Sequence, residues 1–138
     1  MITEDYVSFE TAKLLKEKGF DEITFTWYTG KGKFCVGKNN FDDYHMNRFS
    51  DMPCAWDKNK CSAPTLQMAM KWLREVHNLF IFITTWLRNK DGTVQYYYGI
   101  RNLNDKDFET IAESTITEFD SPEKTCETAM KYCLENLI

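Results

Sequence analysis

Apolar and polar positions recur along this chain with two distinct periods, and the switches between them mark out its elements. Phe9, Ala12 and Leu15 fall at helical spacing behind Ser8, whose hydroxyl can cap a helix, and Gly19 supplies a left-handed stop. From Ile23 to Tyr28 the period drops to two. Ile23, Phe25 and Trp27 lie on one side and Thr24, Thr26 and Tyr28 on the other, as in a half-buried strand. Thr29-Gly30-Lys31-Gly32-Lys33 then reads as a turn, with Phe34-Cys35-Val36 as the returning strand. These glycines and lysines do not form a phosphate loop. The Walker glycine spacing, a Ser or Thr after the lysine and an immediately following helix are all missing.

Between Lys38 and Lys60 the periodicity fails, which predicts a long irregular connection holding a short strand near Tyr44 to Phe49. Loops of that length are uncommon in compact domains and often functional, so this is the first place to look for a site. Pro64 opens the next helix, in which Leu66, Ala69, Met70, Leu73 and Val76 share a stripe widened by Met68 and Trp72. That helix turns at His77-Asn78 into Leu79 to Leu87, a near-continuous apolar run of the kind found in strands covered on both faces or central in a sheet. Asn89-Lys90-Asp91-Gly92 signals a hairpin. Val94, Tyr96, Tyr98 and Ile100 occupy one face of the returning strand, and Gln95, Tyr97 and Gly99 the other. Asn104 to Ala112 is ambiguous, and Ser114 to Phe119 reads as an edge strand. Ser121 and Pro122 then start a last helix, with Cys126, Ala129, Met130, Cys133, Leu134 and Leu137 on its apolar stripe.

The order α-β-β-α-β-β-(β)-α predicts an α+β fold. We expect an antiparallel sheet of about four or five strands and three helices packed mainly on one face. Residues 1–138 fit a single domain, since a chain of this length buries roughly two-thirds of its unfolded surface. Hydrophobic residues make up 43% and glycine and proline are few, a globular composition. The formal charge of −4 argues against nucleic acid and anionic membranes as partners. With early acids and no apolar leader at the N-terminus, no run long enough to span a bilayer, and five cysteines, we expect a cytoplasmic chain with reduced thiols.

Three blocks, YVSFETAKLLKEKGF near the start, APTLQMAMKWLREVHN in the middle and AMKYCLENLI at the end, coincide with the helices and cover about a third of the chain. In these the chain resembles a family of short uncharacterised proteins of gut Bacteroides-type bacteria and their phages and mobile elements. The resemblance implies a source and a compartment and transfers no site.

Candidate chemistry is sparse. His45, Cys54 and Cys61 lie in or beside the 38–60 loop and are ligand types that zinc takes, with Asp51, Asp57 or His77 as a fourth. Their spacing matches no knuckle, so no metal and no cofactor are assigned. His77 ends a helix, where a cationic ring would complement the last carbonyls. Cys126 and Cys133 sit on a buried stripe and read as small apolar residues. Tyr28, Tyr97 and Trp56 are candidate binding residues, since an uncovered sheet face would present their rings to a partner. These features together suggest a small non-enzymatic protein-binding or self-associating module whose partner is another protein or a second copy. Single-stranded nucleic-acid binding through an aromatic sheet face is the alternative, and a metal-dependent enzyme built on the 38–60 loop is a third.

Overall fold

Helix α1 (Phe9–Glu17) forms where its caps place it. Ser8 Oγ accepts the Thr11 N–H at 3.2 Å, and Gly19, at φ +95°, lets the chain leave in the left-handed region. The computed structural model describes residues 1–38, 43–114 and 119–138. The chain divides into two compact units, residues 1–65 and 66–138, each with its own three-stranded antiparallel sheet. The architecture is α+β with three α-helices among the described residues.

In the first unit, β1 (Thr26–Tyr28) lies between β2 (Phe34–Val36) and β3 (Cys61–Ser62). The stretch leading through β1 turns its threonine side inward. Thr24 and Thr26 are buried, whereas Ile23 and Phe25 are 49% and 55% exposed. Strands this short offer few ladder bonds, and the threonine hydroxyls add to them: Thr26 O already accepts the Ala63 N–H at 3.0 Å. Thr24 Oγ1 donates to Thr26 O at 2.9 Å and Thr26 Oγ1 to Ala63 O at 2.6 Å.

Asn47 opens a 3-10 turn (Asn47–Asp51) and is likewise buried. Its Nδ2 donates to Phe20 O at 2.6 Å, and its Oδ1 accepts the Ser62 N–H at 2.9 Å. One amide thus ties the chain beyond α1 to β3. The apolar remainder of this interior is Val7, Ala12, Leu15, Phe20, Cys61 and Ala63.

In the second unit the strands are β4 (Leu79–Arg88), β5 (Val94–Asn102) and β6 (Thr110–Glu113), in that spatial order. Helices α2 (Leu66–His77) and α3 (Pro122–Asn136) contact the sheet and each other. Ser121 Oγ caps α3 by accepting the Lys124 N–H at 3.2 Å, and Asn78, at φ +57°, turns the chain from α2 into β4. Register pairs Ile81 with Ile100 and Ile83 with Tyr98, so these side chains share a face. Leu79, Ile81, Tyr98 and Ile100 are buried there, together with Leu66, Ala69, Trp72 and Leu73 of α2 and Cys126, Ala129, Met130, Cys133 and Leu134 of α3.

Several expectations change. The strands form two sheets of three rather than one of four or five, because Cys61–Ser62 joins β1 in the first unit while the later strands pair among themselves. The apolar run Leu79 to Leu87 is neither central nor covered on both faces. β4 stands at the edge with β5 in the middle, and Phe80 and Trp86 are 37% and 61% exposed. The strand expected near Tyr44 to Phe49 reduces to a single bridge between His45 and Thr24, followed by the 3-10 turn. Among the described residues the last strand is β6 (Thr110–Glu113), mostly in the stretch that reads as ambiguous. Residues 115–118 of the edge strand expected at Ser114 to Phe119 lie outside the described residues, and Phe119 makes one bridge to Tyr96.

Because Asn47 satisfies two buried main-chain groups, Asn47→Ala strands both. It is expected to destabilise the first unit by about 2–4 kcal/mol, read as a lower urea midpoint with an unchanged slope.

Candidate functional site

Polar side chains on both sides anchor residues 43–60, the part of the irregular segment the structure describes continuously. Asp57 accepts the Gly30 N–H at 2.7 Å and the Asn59 N–H at 3.0 Å, and the Gly30 bond foremost lowers its pKa. A Cβ at Gly30 would meet Asp57 and Asn59, so the turn and the loop close tightly on one another. Asp21 takes the Arg48 N–H at 2.8 Å and Nε at 2.6 Å, and Lys16 Nζ donates to the carbonyls of Lys58 and Lys60 at 2.9 and 2.8 Å. Between α1 and this segment lies an open cleft of about 740 Å³, lined among others by Phe9, Lys13, Glu17, Asp51 and Lys58. Its walls carry amines, a guanidinium and carboxylates, with no thiol, hydroxyl or imidazole side chain among the lining residues.

His45 is 2% exposed. Its main chain exchanges two hydrogen bonds with Thr24, and its ring lies edge-on to Phe49 at 6.1 Å and tilted to Trp27 at 6.4 Å. Nε2 finds no hydrogen-bond partner among the described residues. Burial, reinforced by the positive charges of Lys60 and Lys16, lowers its pKa to about 4. Burial also lowers the pKa of His77, whose ring stands edge-on to Trp72 at 4.7 Å. Burial thus works against the cationic helix cap expected for His77, whose ring packs on an indole.

Cys61 is buried and its thiol is pushed up to about 11 by burial, while Cys54 is exposed. Among the described residues no three His, Cys, Asp or Glu side chains converge on a position that could hold a metal ion, so His45, Cys54 and Cys61 are not brought together as ligands. Burial raises Cys126 and Cys133 to about 12, keeping both protonated and unreactive.

The three candidate aromatics belong to different units. Tyr28 belongs to the first unit, where its hydroxyl donates to Val7 O at 2.7 Å and its ring packs between Phe9 and Phe34. Trp56 is fully exposed in the same unit. Tyr97 lies in the second sheet, with its ring perpendicular to Trp86 at 5.7 Å. The expected sharing of one sheet face by Tyr28 and Tyr97 does not occur, because their strands belong to different sheets.

Tyr97 has neighbours that hydropathy alone did not single out. On the sheet face opposite α2 and α3, β4 contributes Phe80, Phe82 and Trp86, and β5 contributes Tyr97, Gly99 and Arg101. The Phe82 ring lies across Gly99, where a Cβ would collide with it, and the Arg101 guanidinium stacks on that ring at 4.7 Å. Among the described residues no carboxylate pairs with Arg101. A signal for this face was present in the chain: odd positions 79, 81 and 83 are aliphatic, whereas even positions 80, 82 and 86 are aromatic.

No protein-family model, curated protein or solved structure matches this chain. No helix among the described residues is long and apolar enough to cross a membrane.

The buried imidazole makes the first unit acid-sensitive. His45 titrates near its ordinary value of 6.5 when unfolded and at about 4 when folded, so the unfolded state binds more protons between them. Stability is full above pH 6.5 and falls as pH drops toward 4, by about 3 kcal/mol from this residue. Urea titrations from pH 7 to 4 are expected to show a steeper loss for the native chain than for His45→Phe, and equal slopes would refute the assignment.

Proposed function

We propose that this chain is a small, non-enzymatic protein-binding module that docks its partner on the open face of the second sheet, in the phage or mobile-element setting that its helical blocks suggest. One observation carries the reading. Phe80, Phe82, Trp86 and Tyr97 lie on a face that α2 and α3 leave open, with Arg101 stacked on Phe82 and, among the described residues, no carboxylate in an ion pair with it. Aromatic and arginine side chains dominate the energetic centres of protein interfaces, because they bury large areas at low entropic cost and keep one polar handle. The partner that fits presents apolar side chains over the rings and a carboxylate to Arg101.

Single-stranded nucleic acid is the competing occupant of an aromatic face, and the net charge of −4 opposes it. Affinity capture with the native chain, Trp86→Ala and Arg101→Glu separates the two. Each substitution is expected to weaken capture of the same protein by about 30-fold, the scale of an interface anchor worth about 2 kcal/mol. Identical capture by all three would overturn the reading. Trp86-dependent quenching by oligo-dT at low salt would transfer the face to nucleic acid.

A further inference from the structure

The outer edge of β4 carries an independent signal. Ser114 N–H donates to Tyr98 O and Tyr98 N–H to Ser114 Oγ, while Tyr96 N–H donates to Phe119 O, so the even residues of β5 point their main-chain groups away from β4. The odd residues Tyr97, Gly99 and Arg101 therefore exchange bonds with Thr84, Phe82 and Phe80. By the same alternation Leu79, Ile81, Ile83 and Thr85 direct their N–H and C=O groups to the free edge. Among the described residues no strand pairs there.

That edge lacks the usual protection. From Leu79 to Leu87 there is no Lys, Arg, Asp, Glu, Pro or Gly, and the bulge comes only after Thr85. The opposite edge, β6, is four residues long, broken by its own bulge and charged at Glu113.

We infer that β4 pairs antiparallel with β4 of a second copy, joining two three-stranded sheets into one of six strands. A two-fold axis through the sheet sets odd residues against odd, so every outward donor faces an outward acceptor. It also puts both helical layers on one side and makes the two aromatic faces continuous. Beyond the bulge Arg88 pairs with Val94, which turns it to the helical side, and the antiparallel arrangement brings it beside the second copy's α2 C-terminus. The last carbonyls of that helix form its negative end, and Glu75 there is shared between Lys71 at 3.9 Å and Arg74 at 4.0 Å.

The edge and the open face are separable by mutation. Sedimentation velocity of the full chain is expected to give twice the 16.3 kDa monomer mass. Thr85→Pro removes an outward N–H without touching the ladder and should halve that mass, whereas Trp86→Ala should leave the dimer intact. A monomeric native chain, or a Thr85→Pro variant that remains dimeric, overturns the inference. Should Thr85→Pro fail to fold, hydrogen exchange on the native chain decides. The Ile81 and Ile83 amides must be as protected as those of Phe80 and Phe82 and lose that protection on dilution, and fast exchange at every concentration refutes the pairing.

Discussion

Every main-chain N–H and carbonyl taken out of water must find a partner, and the two halves of this chain meet that demand in different ways. In the first unit the strands are two or three residues long, so ladders alone cannot satisfy the interior. Side chains add to them: Thr24, Thr26 and Asn47 are buried where they bond carbonyls and amides. In the second unit β4 and β5 run nine to ten residues and pair along nearly their whole length. Its interior is then free to be mostly aliphatic. The contrast between a threonine-lined and an isoleucine-lined sheet follows from strand length.

That contrast separates what could be read in the chain from what could not. The helices were legible because caps and stripes are local: Ser8 with Gly19, and Ser121 with Pro122, act within one turn of themselves. Both hairpins were legible for the same reason, since Gly32 and Gly92 take the positive φ their turns require. The inward side of the Ile23 to Tyr28 stretch was not, because a period of two gives alternation without direction, and hydropathy alone favours the Ile23 and Phe25 side. Only the hydrogen bonds to Thr26 O and Ala63 O, the latter from a residue far along the chain, reverse that choice. A two-residue strand such as β3 carries no period at all, so the division into two sheets rests on pairings that local pattern does not encode.

Site chemistry shows the same limit. The titratable residues that resemble ligands or nucleophiles by type are spent on structure. Burial holds His45 neutral and keeps Cys61, Cys126 and Cys133 protonated, while Asp57 and Asp21 accept main-chain amides that fasten the irregular segment. A carboxylate occupied by two amide donors is a poor general base, since those bonds favour the form already ionised. Of the three candidate rings, Tyr97 was legible as the residue pointing opposite to Tyr96 and Tyr98. The place of Tyr28 was not, because its hydroxyl bonds Val7 O and its ring meets Phe9, both far back along the chain, while only Phe34 is its hairpin neighbour.

The bulge between Thr85 and Leu87 is where the candidate surfaces of the second unit meet. The extra residue comes after regular alternation has already set Trp86 on the side of Phe80 and Phe82, where it stands against Tyr97 while Thr85 pairs with Tyr96 on the helical side. The same insertion reverses the parity of the last two strand residues, placing Leu87 opposite Gln95 on the aromatic side and Arg88 on the helical side. A bulge usually blunts an edge by twisting it away from neighbours. Here it lies near the end of the strand, so seven residues from Leu79 to Thr85 stay in regular register, without a charge, before the distortion begins. Both the aromatic face and the edge beside it are thus laid down by regular pairing before the inserted residue distorts the strand.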